Sequence, residues 1–393
     1  MRALTRGIAI GLAFLLAPIA GRAETIKIGL LLELSGPSAA LGKPIDDAVR
    51  LFVKQHEKDI LPHKIEIVRR DLTGPAPDIA KRLAQELITR DRVHILAGVV
   101  YTPNANAIAP LATEAKIPFI IMNAGTSMTT TLSPYIARVS FTLWQTSLPM
   151  GEWAARKGMK KAYTAVSDYG PGLDAEAAFT KGFTAGGGQI VGSVRMPLTT
   201  PDYVPFIQRI KDAAPEALFV FVPAGKDATA FMKSYGERGL KEAGITLIAT
   251  GDLTPEEELP NMGDVPLGLV TSHHYSVAHD SAVNKAFVDS WIKEYGPGST
   301  PNFMSVGGWD GMAAIFQIIK QLDGKIDGDK AMAVLKGWKT ESPRGPIAID
   351  PETRDVVQNV YLRRTEKIGG KLQNTEFESI SAVKDPWKAL NPQ

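Results

Sequence analysis

Short runs rich in Val, Ile and Leu alternate along this chain with stretches of about a dozen residues whose apolar side chains recur every three or four positions. Such alternation is the mark of parallel βαβ units. In the first part it predicts strands at Thr25–Leu32, Lys64–Arg69, His94–Val100 and Ile117–Met122. Helices are predicted between them at Ile45–Glu57, Asp78–Asp91 and Pro103–Ala115. In the second of these helices Ile79, Leu83 and Leu87 make a one-sided apolar stripe, with Lys81, Arg82 and Arg90 on other faces, as expected of a helix covering a sheet. A second series follows, with strands at Ala162–Val166, Gln189–Val194, Ala217–Val222 and Ile245–Ala249. Its helices fall at Asp174–Thr184, Val204–Asp212 and Asp227–Arg238. Beyond a strand at Leu267–Thr271 come helical patterns at Ala282–Glu294 and Val306–Leu322, then an alternating hairpin at Val356–Arg363 and Phe377–Ile380. The plan repeats without a residue-level repeat, so it points to two similar doubly wound lobes and not to a solenoid. Gly- and Pro-rich connections are spread evenly, which favours lobes joined by several crossings over beads on a string.

Composition narrows the picture. At 393 residues, with 44% hydrophobic and 22% charged, the chain has room for two or three packed domains and the balance of a soluble body. It contains no cysteine, which removes disulfides, thiolate metal sites, iron–sulfur clusters, cysteine nucleophiles and a cysteine-borne lipid anchor. The N-terminus reads as a secretory signal: Arg2 and Arg6, an apolar run Gly7–Ala20, then Gly21-Arg22-Ala23 with small residues where a signal peptidase cuts. The mature chain is expected to begin near Glu24 and to lie in the periplasm. Removing Arg2, Arg6 and Arg22 from the 44 basic residues leaves 41 against 42 acidic ones, so nothing favours nucleic acid. No later stretch is long and apolar enough for direct membrane insertion.

Candidate chemistry is sparse. Gly36–Lys43 has glycines and a lysine, but five residues separate Gly36 from Gly42 and Pro44 replaces the hydroxyl of a phosphate loop. Gly186-Gly187-Gly188 fits a helix C-terminal turn better than a dinucleotide fingerprint. His273, His274 and His279 invite a metal reading, yet neighbours on a strand point to opposite faces, so they are expected to be surface or hinge residues. Glu256-Glu257-Glu258 reads as a solvated helix start after Pro255. No nucleophile elbow or other catalytic constellation stands out, and no metal or cofactor is expected. What does stand out is a pair of loops at the carboxyl ends of first-lobe strands, where open α/β sheets bind ligands. Tyr101-Thr102-Pro103-Asn104 has Thr102 as an N-cap and Pro103 as first helical residue, with free N–H groups beyond. In Asn123-Ala124-Gly125-Thr126-Ser127 small residues let a ligand approach the backbone. Together the loops can cradle a carboxylate. On the residues alone, Thr102 and Thr126 equally suit capping of their own helices.

Several points, in order and on the expected elements, resemble the periplasmic solute-binding proteins of ABC importers of the leucine/isoleucine/valine-binding type. They are Ile28-Gly29-Leu30 leading to Leu34-Ser35-Gly36-Pro37, Asp71, Gly98, Asp168-Tyr169-Gly170-Pro171-Gly172 and Gly239-Leu240. The resemblance spans the mature chain. It implies an α/β fold of two doubly wound, Rossmann-like lobes joined by three hinge crossings, the type I periplasmic binding fold. The crossings are expected near Ser140–Trp144, Thr271–Tyr275 and Arg344–Asp350. Residues 24–142 with 273–347 would form one lobe, and residues 143–272 with 348–393 the other. Ligand would bind in the cleft, the lobes would close by hinge motion, and a membrane permease would receive the closed form while separate subunits hydrolyse ATP.

Carried over by position, the resemblance implies that Thr102 and Thr126, with backbone around Tyr101, Ala124 and Gly125, would hold the ligand carboxylate and that Tyr169 would cover it. Amino-acid binders of this family grip the ammonium with an acid and a tyrosine from the second lobe. Here Ala224 takes the tyrosine position, Asp252 matches the acid only loosely, and Leu41 replaces a first-loop aromatic. The run Thr271-Ser272-His273-His274-Tyr275 resembles members associated with benzoates. The expected ligand is therefore an aromatic monocarboxylate of benzoate or hydroxycinnamate type, with a branched-chain or other amino acid as the alternative. Tyr101, Trp144, Tyr169 and Trp309 are the candidate ring contacts. The protein is expected to be a monomer and not an enzyme. A secreted α/β hydrolase is the rival from another class, and it would need a nucleophile–base pair that cannot be assembled from this sequence. A sensory module would use the same lobes.

Overall fold

A computed structural model describes residues 23–198 and 202–392, so the expected signal segment, residues 1–23, lies outside the described residues apart from Ala23. The first sheet is built from β1 (Thr25–Leu32), β2 (Lys64–Asp71), β3 (Ile95–Gly98), β4 (Phe119–Ile121) and β5 (Ile136–Arg138). They are parallel, in the order β2-β1-β3-β4-β5. Helices α1 (Ala39–His56), α2 (Pro77–Thr89) and α3 (Thr102–Ala115) supply the crossovers. The chain then enters a second series through α4 (Leu143–Arg156): β6 (Lys161–Ser167), α5 (Gly170–Ala185), β7 (Gln189–Met196), α6 (Val204–Ala213), β8 (Ala217–Phe221), α7 (Lys226–Glu237), β9 (Thr246–Thr250) and β10 (Val270–His273). These strands run parallel in the order β10-β9-β8-β6-β7.

After β10 the chain returns to the first sheet. There α8 (Ala282–Tyr295), α9 (Phe303–Gln321) and α10 (Gly328–Leu335) follow, with α9 packed against α1, β3 and β4. It goes back through β11 (Lys339–Ser342), β12 (Gly345–Ile349), β13 (Val356–Ile368) and β14 (Lys371–Val383), and ends in α11 (Pro386–Leu390). Strand β13 pairs antiparallel with β10, β12 and β14, so this last segment closes the free edge of the second sheet. The expected pair of doubly wound parallel lobes is present, and the chain passes between the sheets three times.

Differences from the sequence reading have local causes. Helix α1 starts six residues before Ile45 because Pro44 forfeits only one N–H bond near its start. Along α2, Ile79 is exposed and Ala80 takes its place in the buried stripe with Leu83, Ala84 and Leu87. Strand β3 stops at Gly98 because Gly98 (φ +107°) and Val99 (φ +66°) leave the extended region. Strand β10 begins at Val270 and not Leu267, because Gly268 (φ +87°) belongs to a turn. The hairpin is far longer than its apolar core. Helix α4 and strands β5, β11 and β12 are additional elements. Gly186 is the C-cap of α5, as its sequence suggests.

Candidate ligand-binding cleft

In each sheet the strand order reverses next to its first strand, between β1 and β3 and between β6 and β8. Loops at these switch points diverge and leave room for a ligand beyond the strand ends. A cavity of about 540 Å³ lies there, with Pro37, Ser38, Leu41 and Tyr101 on the first side and Tyr203, Ala224, Gly225 and Asp227 on the second. That volume suits a small organic molecule. The cleft is narrow: a Cβ at Gly225 would stand 3.5 Å from the Leu41 side chain. Tyr101 and Ser38 share a buried hydroxyl–hydroxyl hydrogen bond of 3.1 Å, and burial pushes the Tyr101 phenol up to about 12. Burial likewise raises the Asp227 carboxyl to about 6.

Beside Tyr101 the two expected loops meet. Tyr101 is the N-cap residue of α3, one position before the expected Thr102, and neither Thr102 nor Thr126 caps its own helix with its side chain. Instead Thr126 N donates to Thr102 Oγ1 (3.4 Å), Ala124 N to Val99 O (3.2 Å) and Asn123 Nδ2 to Val100 O (3.1 Å), which ties the loops into one surface. The Thr126 hydroxyl is buried without a partner and faces the second lobe, where a Cβ at Gly170 would stand 2.6 Å from it. Val99 is β-branched and left-handed, a strained conformation held by the surrounding bonds.

Two charged side chains, both missed in the sequence, set this surface from behind. Glu33, at the end of β1 and fully buried, accepts from Asn104 Nδ2 (2.9 Å) and from Val100 N (3.3 Å). Burial raises its carboxyl to about 8, against the lowering influence of those donors. Arg138, fully buried at the end of β5, donates through Nη1 to the carbonyls of Ala124 and Thr126, both at 2.7 Å, and pairs with Asp355 at 2.6 Å. By holding two carbonyls back it fixes the loop's course, while the N–H groups of Ala124, Thr126 and Ser127 go to Val99 O, Thr102 Oγ1 and Asp174. The signals were faint: one carboxylate at the end of an apolar run, and one arginine in a three-residue strand.

The remaining expected residues divide. Tyr169, the N-cap residue of α5, stacks on Phe221 with ring centroids 6.0 Å apart. Its phenol is held well above its ordinary range, first by burial and then by Tyr101, Asp252 and Asp227. Ser127 N at the second loop donates to Asp174 of α5 (2.8 Å), so the lobes already touch there. Asp252 is buried, with Oδ2 3.6 Å from His273 Nε2, too long for a hydrogen bond. Trp309 is not a cleft residue. Its position on α9 faces the outer helices, and it packs edge-on against Phe52 (4.8 Å) and Phe287 (5.1 Å). Trp144 is buried in the first turn of α4, in the connection between the sheets.

The expectation that His273 and His274 face opposite sides also fails. Because β10 ends at His273, the alternation stops, and both rings are fully buried on one side with centroids 4.3 Å apart. Among the described residues no group of three or more His, Asp or Glu is placed to hold a metal ion. The acidic run is not solvated either: Glu256 is buried and paired with Arg363 at 3.4 Å.

Two parallel α/β lobes whose facing strand ends enclose a small-molecule cavity define a cleft-binding protein. The chain belongs to the periplasmic binding protein family, whose profile matches residues 25–371. It is 43% identical over 374 residues to the Leu/Ile/Val-binding protein homolog 6 of Brucella melitensis, covering 95% of this chain and 96% of that one. A solute-binding protein of an ABC transporter from Rhodopseudomonas palustris BisB5, solved with 3,4-dihydroxybenzoic acid, is 53% identical with a TM-score of 0.89, covering 93% of this chain and 99% of that one. Another from Rhodopseudomonas palustris, solved with 4-hydroxybenzoate, is 45% identical with a TM-score of 0.90, covering 94% and 100%. The fold is the type I periplasmic binding fold, and the family is one of ABC solute-binding proteins, not of enzymes.

Proposed function

We propose that this chain delivers an aromatic monocarboxylate, of benzoate or hydroxycinnamate type, to the membrane permease of an ABC importer and performs no catalysis. It works in the periplasm after removal of its signal segment. Residues 24–142 with 273–347 and residues 143–272 with 348–393 act as the two lobes. The observation that carries the reading is the double loop, with Arg138 drawing the carbonyls of Ala124 and Thr126 away and the Thr126 hydroxyl left without a partner. A hydroxyl without a protein partner, set among small residues, suits an anion's oxygen. Tyr101, Thr102, Ala124, Gly125 and Thr126 take the carboxylate, Tyr169 covers it, and Leu41 lines the way in. Ala224 at the second wall leaves no tyrosine there to support an ammonium group. The aromatic acids bound by the two Rhodopseudomonas proteins support the ligand class.

A second reading, an amino acid, is favoured by Asp252, whose Oδ2 is buried without a partner and could receive an ammonium. Calorimetry against benzoates, hydroxycinnamates, aliphatic acids and amino acids separates the two. Heat from the aromatic acids with silence from leucine and valine is expected. Binding of amino acids alone would overturn the ligand assignment.

A further inference from the structure

The cavity between the two sheets is uneven in charge. Its first wall presents the hydroxyls of Ser38 and Tyr101, bonded to each other, while Asp227 on the second wall brings the single carboxylate among the lining residues. Asp227 stands in the first turn of α7, two residues past Gly225, where a Cβ would come within 3.5 Å of the Leu41 side chain, so the cavity is narrow at this point. Burial alone raises its carboxyl to about 6, and no hydrogen bond or neighbouring charge from the described residues offsets that burial. Lys226 is exposed to solvent and, as the adjacent helical residue, is turned about 100° away from it, so the two do not pair. Residues 199–201, outside the described residues, are Thr, Thr and Pro and add no cation. The charge of Asp227 is felt by the phenols of Tyr101, Tyr169 and Tyr203, each of which it helps to raise. A molecule in the cavity therefore lies between a wall of hydroxyls and a wall with one uncompensated acid.

Resting on the aromatic-acid reading, we propose that Asp227 is a specificity-determining residue that turns the ligand's carboxylate toward the first wall and refuses a second acid group at the far end of the ring. A monocarboxylate can keep its anionic end away from Asp227 and lay its ring beside Ala224 and Gly225. A para-dicarboxylate has no such choice. Whichever way round it enters, one carboxylate faces Asp227, and two like charges in a narrow cleft cannot both stay ionised without cost. The refusal works by repulsion and not by a missing contact, which lets the site separate ligands of one shape and different charge. A neutral substituent of the same size meets no such penalty.

The test is calorimetry of the whole mature chain with benzoate, terephthalate and 4-carbamoylbenzoate, whose amide matches the second carboxylate in shape without its charge, repeated on Asp227→Asn. The unaltered protein is expected to favour 4-carbamoylbenzoate over terephthalate by about tenfold or more. In Asp227→Asn that ratio should fall to about two or less. Equal affinity for the two para-substituted acids in the unaltered protein, the result that pairing of the second carboxylate with Lys226 would give, would overturn the filter and leave the aromatic-acid reading intact. A ratio unchanged in Asp227→Asn would do the same. So would failure of both para-substituted acids beside a benzoate that binds, since bulk and not charge would then be the barrier. Binding of none of the three aromatic acids would overturn the parent reading and the filter together. The ratio in the unaltered protein decides the matter even if the variant does not fold.

Discussion

The front and the back of the cleft are built from different materials. At the front, the surface proposed for the carboxylate is made of helix starts, small residues and two threonine hydroxyls from two short segments close in sequence. At the back, where the chain passes between sheets, side-chain charges sealed from water do the work. Arg344 is fully buried, pairs with Asp310 at 2.8 Å and donates to the carbonyls of Ser140 and Val139, joining α9 to two of the connections. Arg363 reaches Tyr275 O, Glu256 and Thr271. Arg138 links β5 to Asp355, which also receives Lys388 Nζ at 2.8 Å. A free hydroxyl among small residues can meet an anion at little folding cost, whereas buried charges fix geometry and become a liability once unpaired.

The contrast can be broken most forcefully at the back. Arg344→Ala leaves the buried Asp310 carboxylate with no counter-ion and only the Ser342 hydroxyl, and two buried carbonyls without their donor, and should lower unfolding free energy by about 3–5 kcal/mol in urea titrations. A loss below about 1 kcal/mol would mean that water enters this connection and that the back is no different from the front. At the front, Thr126→Ala removes no hydrogen bond within the protein, so the urea midpoint should hold. Affinity for the carboxylate should weaken by about 1.5–3 kcal/mol in calorimetry, and Thr102→Ala should do the same. Unchanged affinity in both would remove the carboxylate surface.

The smallest effect sharpens the one place where front and back meet. Glu33 is a buried acid placed directly beneath the front loop, and its carboxyl is raised to about 8. It stays protonated below that pH and becomes an anion above it, opposing a bound carboxylate. Affinity should therefore decline as pH rises through about 8, by at most about tenfold per pH unit, the limit for one linked proton. Glu33→Gln should flatten the profile. A decline that persists in Glu33→Gln would assign it to another group.

This difference in materials also decides what could be read from the chain beforehand. That the two front loops lie together was legible because Thr102-Pro103 and Ala124-Gly125-Thr126 carry their conformations locally, and a shift of one residue in the cap did not separate them. Strand alternation likewise revealed both sheets. The back was not legible, since Arg138 and Asp355 are 217 residues apart and Arg344 lies 205 from the carbonyl it holds. His273 and His274 misled because alternation applies only while a strand continues, and β10 stops between them. Trp309 misled because the periodicity of α9 tells that a face is buried, without telling against what. Glu256 is sealed by Arg363, 107 residues away, and nothing near it in sequence signals a partner.

The late hairpin has a consequence for how the molecule comes into being. Sheet one takes all its strands from a contiguous stretch ending at Arg138 but waits for α9, from Phe303 onward, to cover one face. Sheet two begins at Lys161 but receives β13 only from Val356 onward. Until then the edge of β10 has no partner, and the slowest step of folding should be this long-range capture. A half-made chain would hold two unfinished lobes, one lacking the helix that covers its sheet and one lacking its edge strand, a state in which chaperone protection matters most.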